Sequence, residues 1–125
     1  LVLLFDRKQN RLVAQQSAGL PSDAARLTLI PEQSQIVRRL LEKPAQLRLQ
    51  PANMAQFSPL LPGSLKALFS GEHLLLRSLG IDGRVLMLLV SDQNGAPFSD
   101  TTLQTFAKTT QCIERALATF SRRGV

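Results

Sequence analysis

The sequence predicts an α+β domain built on a central antiparallel β-sheet, with helices on its faces and a long C-terminal helix. Three observations carry that prediction. Residues 1–5 with 11–16, and 74–79 with 85–90, are two pairs of apolar runs, each joined by a short polar connector. Strands joined so closely are antiparallel. Helical periodicity is confined to the stretch between the pairs and to the last quarter of the chain, so strands and helices do not alternate as βαβ units.

Taken in order, residues 1–5 form an unbroken apolar run, and the polar connector 6–10 leads into 11–16, which alternates in part and is polar at its tip. That pattern suits a strand near a sheet edge. Gly19 and Pro21 break it, and residues 27–30 make a short extended piece stopped by Pro31. Over residues 33–43, Ile36, Val37, Leu40 and Leu41 mark one helical face, with Glu32 suited to the positive end of the dipole, Lys43 to the negative end, and Pro44 after the stop. Arg38 and Arg39 point outward. Leu47 and Leu49 alternate with Arg48 as a short strand, and Pro51 starts another segment. From 53 to 69 the apolar spacing is helical, but Pro59 and Pro62 interrupt it, which predicts two short helical pieces around a turn.

Residues 73–90 are the hydrophobic centre. Asp82-Gly83 supplies a tight turn, and 85–90 carry no polar residue, which predicts a strand in the middle of the sheet covered on both faces. Residues 91–97 are dense in turn formers. Ser99 is placed to cap a final helix, with Asp100 in its first turn and Phe98 as a staple. Leu103, Phe106, Ala107, Thr110, Ile113, Leu117 and Phe120 then recur every three or four residues, and Arg122, Arg123 and Gly124 end the helix.

At 125 residues the chain is of single-domain size and buries a core without disulfides or metal. We expect one domain over 1–125, a C-terminal fragment of a longer protein, since it opens on a strand with neither Met nor the pattern of a signal peptide. The single cysteine, Cys112, rules out an intrachain disulfide and points to a cytoplasmic location. No run approaches the length of a membrane span. The net charge of +6 favours polyanions, but the basic residues are scattered and Phe is the only aromatic type, which argues against nucleic-acid binding.

The hairpin around Gly83-Arg84-Val85-Leu86, the turn after Ser91-Asp92, Phe98-Ser99-Asp100 and the helix from Leu103-Gln104-Thr105-Phe106 resemble the C-terminal half of a GAF domain. Leu40-Leu41-Glu42-Lys43-Pro44 and the nine residues 60–68 resemble the GAF-like segment that follows the HDOD domain in some bacterial signalling proteins. The resemblance implies a non-catalytic regulatory module that binds a small ligand or a partner domain, fused to an upstream signalling domain and able to form a homodimer through its terminal helix. The alternative is a degenerate GAF-like scaffold with a filled pocket, serving only in dimerisation or interdomain packing. Two departures stand out: this chain starts at the first strand, so the helix that normally opens a GAF domain has either been cut away or lies upstream, and Met87 stands where many GAF strands carry Gly.

Candidate chemistry is sparse. His73 is the only histidine and has no metal-ligand cluster beside it in sequence, so no metal or other cofactor is expected. Cys112 is expected to be small and half-buried in the last helix. Arg77 and Ser78 interrupt an apolar strand and point to opposite faces, so one of them looks toward the helical layer. Arg77 is either an anchor for an anionic ligand or an edge-facing side chain; Ser78 is either a ligand contact or bonded to backbone. With Met87 and Phe57 they form the predicted ligand-binding set. No Ser-His-Asp order, paired-carboxylate spacing or phosphate loop is present, nor the Asn/Lys/Phe/Asp/Glu set of nucleotide-binding GAF domains, so an enzyme is not expected.

Overall fold

The computed structural model of the chain describes residues 1–20, 22–69, 73–81, 84–92 and 97–123, with the backbone alone at 22, 23 and 120–123. The Asp82-Gly83 turn, the glycine stop at Gly124 and most of the turn cluster after Asp92 lie outside the described residues. Six strands form one sheet: β1 (Val2–Asp6), β2 (Arg11–Gln16), β3 (Thr28–Leu29), β4 (Gln46–Leu49), β5 (Leu74–Ile81) and β6 (Arg84–Ser91). Their order is β3-β2-β1-β6-β5-β4, with every neighbouring pair antiparallel. The α+β class and both sequence-predicted hairpins are present, and β6 lies in the interior of the sheet as its unbroken apolar run requires.

Antiparallel register sorts the side chains into two faces. Leu3 lies opposite Leu88, Leu76 opposite Val90, Leu49 opposite Leu74 and Leu12 opposite Leu29, and all eight are buried on one inner face. The helices α1 (Gln35–Glu42), α2 (Pro51–Phe57) and α3 (Gly63–Leu68) belong to this side, with Ile36, Val37, Leu40 and Leu65 buried in the same core. A fully buried leucine contributes about 1.5–3 kcal/mol relative to an exposed one, so this leucine layer is the main source of stability.

The start of α1 differs from the pattern-based boundary. Residues 31–33 make a separate 3₁₀ turn, and the helix begins after Ser34, whose Oγ accepts from Val37 N at 3.3 Å and donates to Leu60 O at 2.9 Å. Ser34 therefore caps α1 and ties it to the α2–α3 connection. Ser34→Ala is expected to lower stability by about 1–2 kcal/mol in a urea melt, because both bonds are lost at a buried position.

The outer face carries α4 (Asp100–Arg123), which starts at Ser99, whose Oγ accepts from Thr102 N at 3.1 Å. This helix packs chiefly on β5, where Leu75 and Leu79 are buried. Its position corrects one expectation. Residues 85–90 are not fully covered on both faces, because α4 lies over β5 and leaves Met87 and Leu89 half-buried beside Val2 and a Leu4 that is 40% exposed. Cys112 is exposed, not half-buried, because it lies about 200° around the helix from the buried Thr110.

Candidate functional site

The four residues predicted to bind ligand do not share a cavity. Ser78 faces the inner layer and is fully buried, Arg77 faces α4, Met87 lies opposite Leu79 on the face of Arg77, and Phe57 is half-buried at the end of α2. The expectation that Arg77 and Ser78 point to opposite faces holds. The polar bonds of each define its work.

Ser78 Oγ accepts from Ala45 N at 2.9 Å and lies 3.3 Å from both Lys43 O and Ala45 O, either of which can take its single proton. The backbone repeats the link, with Ser78 N donating to Ala45 O at 2.9 Å. Residues 43–45 are the exit from α1, so Ser78 fastens the end of that helix to the middle of β5. On the other face, Arg77 Nη2 donates to Glu114 Oε1 of α4 at 3.2 Å, the one ion pair among the described residues. Arg77 Nε is buried with no partner among those residues. Adjacent residues of one strand thus hold α1 on one face and α4 on the other.

Among the described residues, the concavity with the greatest room and a mixed-charge rim lies next to α1. A cavity of about 380 Å³ opens between the β1–β2 hairpin, the 3₁₀ turn 31–33 and α1, within the usual size range of about 300–1,000 Å³ for small-molecule sites. Phe5, Pro31 and Leu41 give it an apolar floor, and Asn10, Glu32, Arg38 and Glu42 form a polar rim. Local chain chemistry builds the hairpin side. Asp6 Oδ1 accepts from Lys8 N and Gln9 N at 3.0 and 3.3 Å, and Asn10 takes φ 53°, a left-handed conformation that asparagine tolerates. Asn10 Nδ2 then donates to Glu32 Oε1 and closes the hairpin tip onto the 3₁₀ turn.

Two further concavities, of about 320 Å³ along the first half of α4 and about 210 Å³ beside Leu1 and Asp92, include none of the four predicted residues either. The sequence places Arg38 on the outward side of its helix and Glu32 near the helix start but does not join them into a site. The available signal was the Arg38/Glu42 spacing of one turn along one edge of α1. His73 is half-buried, with Nδ1 lacking a hydrogen-bond partner among the described residues. No three His, Cys, Asp or Glu side chains gather as a metal site among those residues, and none of their helices is long and apolar enough to cross a membrane.

No protein-family model and no curated protein sequence matches this chain. Among solved structures it is similar to the GAF domain/HD domain protein from Geobacter sulfurreducens, with a TM-score of 0.66 and 20% sequence identity, over 97% of this chain and 78% of that one. The fold is therefore GAF-like.

Proposed function

We propose that this domain is a non-catalytic regulatory module of a bacterial signal-transduction protein, a GAF-like domain of the HDOD-associated kind working in the cytoplasm. A small ligand or a partner domain engages the α1 side, and α4 transmits the change to an upstream signalling domain or to a second copy packed through α4. The observation that carries this reading is the Arg77-Ser78 junction. Ser78 holds the exit of α1, whose Arg38, Leu41 and Glu42 line the cavity, while Arg77 holds α4 on the opposite face. Occupancy that favours one placement of α1 over another reaches α4 through two neighbouring residues, and a ligand shifts the equilibrium only by that difference in affinity.

Cys112, the single cysteine and exposed on α4, provides the reporter. With a nitroxide on Cys112, a panel of cyclic nucleotides, haem, small acids and amino acids is screened for a rise in Tm and a changed label spectrum. A ligand at a hundred times its Kd is expected to add about 2.7 kcal/mol of stability. Arg77→Met is expected to loosen the label without ligand and to abolish its response, at a stability cost of only about 0.5–1 kcal/mol for a partly exposed pair.

The scaffold reading rests on a different observation: Val2, Leu4, Met87 and Leu89 form an incompletely covered apolar strip on the outer face. A concentration-dependent dimer in sedimentation, with no Tm or label response to any compound, selects that reading and sinks the first.

A further inference from the structure

We infer that the α1 cavity takes a zwitterion with an apolar body, in chemical class an α-amino acid with a hydrophobic side chain. This assignment deepens the regulatory reading and rests on it. The rim carries both signs of charge: Glu32 and Glu42 supply carboxylates, Arg38 a guanidinium, and Asn10 an amide. Arg38 and Glu42 are one turn apart on α1, yet they form no ion pair with each other or with any other described residue. The order Arg before Glu is the weaker arrangement for an intrahelical pair, which leaves both heads available. Glu32 is engaged by the neutral Asn10 amide, so its charge is not cancelled.

These charges select by sign. A simple anion meets two carboxylates, and a simple cation meets a guanidinium, so each class is opposed by part of the rim. A molecule with an ammonium beside a carboxylate satisfies both: the ammonium donates to Glu32 and Glu42, and the carboxylate accepts the two parallel bonds that a guanidinium offers. Phe5, Pro31 and Leu41 beneath the rim then cover an aliphatic or aromatic side chain. The whole chain is +6, yet this rim has more carboxylates than cations, so general attraction for anions does not account for the site.

The test is a titration of the ¹⁵N-labelled chain with L-leucine and L-phenylalanine, followed by backbone amide shifts. Two analogues serve as comparisons: 4-methylpentanoate, which lacks the ammonium, and 3-methylbutylamine, which lacks the carboxylate. The expected result is saturable shifts at Phe5, Asn10, Arg38 and Leu41, with each analogue bound about ten-fold more weakly or worse. Arg38→Gln is expected to weaken L-leucine by about the same factor and to strengthen the amine analogue, whose charge the guanidinium opposes. Because Arg38 is exposed, that variant keeps the fold. Absence of saturable shifts with either amino acid overturns the assignment, as does equal binding of either analogue. A ligand of another charge class that moves these same amides and the Cys112 label overturns the assignment alone. L-leucine filling the cavity with no change at Cys112 supports the assignment and overturns the regulatory reading.

Discussion

Gly80→Ala is expected to give the largest loss of stability of any glycine-to-alanine change among the described residues. A Cβ built at Gly80 falls 1.7 Å from Arg84 O, 2.6 Å from Arg84 C and 2.9 Å from Val85 Cα. All three are backbone atoms of β6, so no rotamer change relieves the clash. The β5–β6 register shifts between Leu79 and Gly80, and that irregularity brings the two backbones together at the closed end of the hairpin. Inserting the methyl forces β5 and β6 apart where they join the core, which we expect to cost about 3 kcal/mol and to lower Tm by on the order of 10 °C in a circular-dichroism melt. The control is Gly63→Ala in α3, where nothing lies within 4 Å of the added carbon. There the change is expected to be neutral or to stabilise by about 0.5–1 kcal/mol through the helix preference of alanine. A Tm for Gly80→Ala within two degrees or so of the parent would remove the steric account, since even 1 kcal/mol moves Tm by about 4 °C in a domain of this size.

Gly80 also marks where the sequence stops being informative. The apolar runs of β5 and β6 are legible because alternation and a tight-turn dipeptide are local signals, and the same holds for α4, whose apolar repeat persists along its length. A glycine inside a strand signals a bulge, but only tertiary structure says which atoms approach it. Ser34 is comparable. The acidic residue at Glu32 drew attention to the wrong start, because a dipole preference is spread over a turn whereas a cap belongs to one residue. Arg77 and Ser78 were legible as a pair on opposite faces, but not what they bond to, since Ala45 and Glu114 lie 33 and 37 residues away. The cavity was least legible of all. Its walls come from a hairpin tip, a 3₁₀ turn and a helix that meet only after the core has formed, and none of its charged residues is unusual within its own segment.

Ser78→Ala is expected to be the second most damaging of these changes and the one that most directly loosens α1 from the sheet. The hydroxyl is fully buried and meets both a donor and acceptors: it receives the Ala45 amide at 2.9 Å and gives its proton to Lys43 O or Ala45 O at 3.3 Å. Alanine keeps the size of the site and leaves the Ala45 amide without its partner in a partly buried place, so the penalty is that of an unmade bond, about 1–3 kcal/mol. The backbone bond from Ser78 N to Ala45 O survives, which keeps β4 paired and confines the damage to the end of α1. Hydrogen exchange separates this from general destabilisation: the Ala45 amide is expected to exchange at least ten-fold faster, while amides of β1 and β6 slow or quicken only with global stability. Unchanged protection at Ala45 means that the hydroxyl is not what holds the end of α1. The contrast with its neighbour follows from solvation. Arg77 and Glu114 retain 24% and 30% side-chain exposure, so water reaches either charge when the other is removed, whereas the partly buried Ala45 amide points at the fully buried Ser78 hydroxyl, where a methyl group offers no replacement. The small neutral side chain therefore outweighs the charged one in stability, and the charged one, being cheap to release, is the better placed of the two to let α4 move.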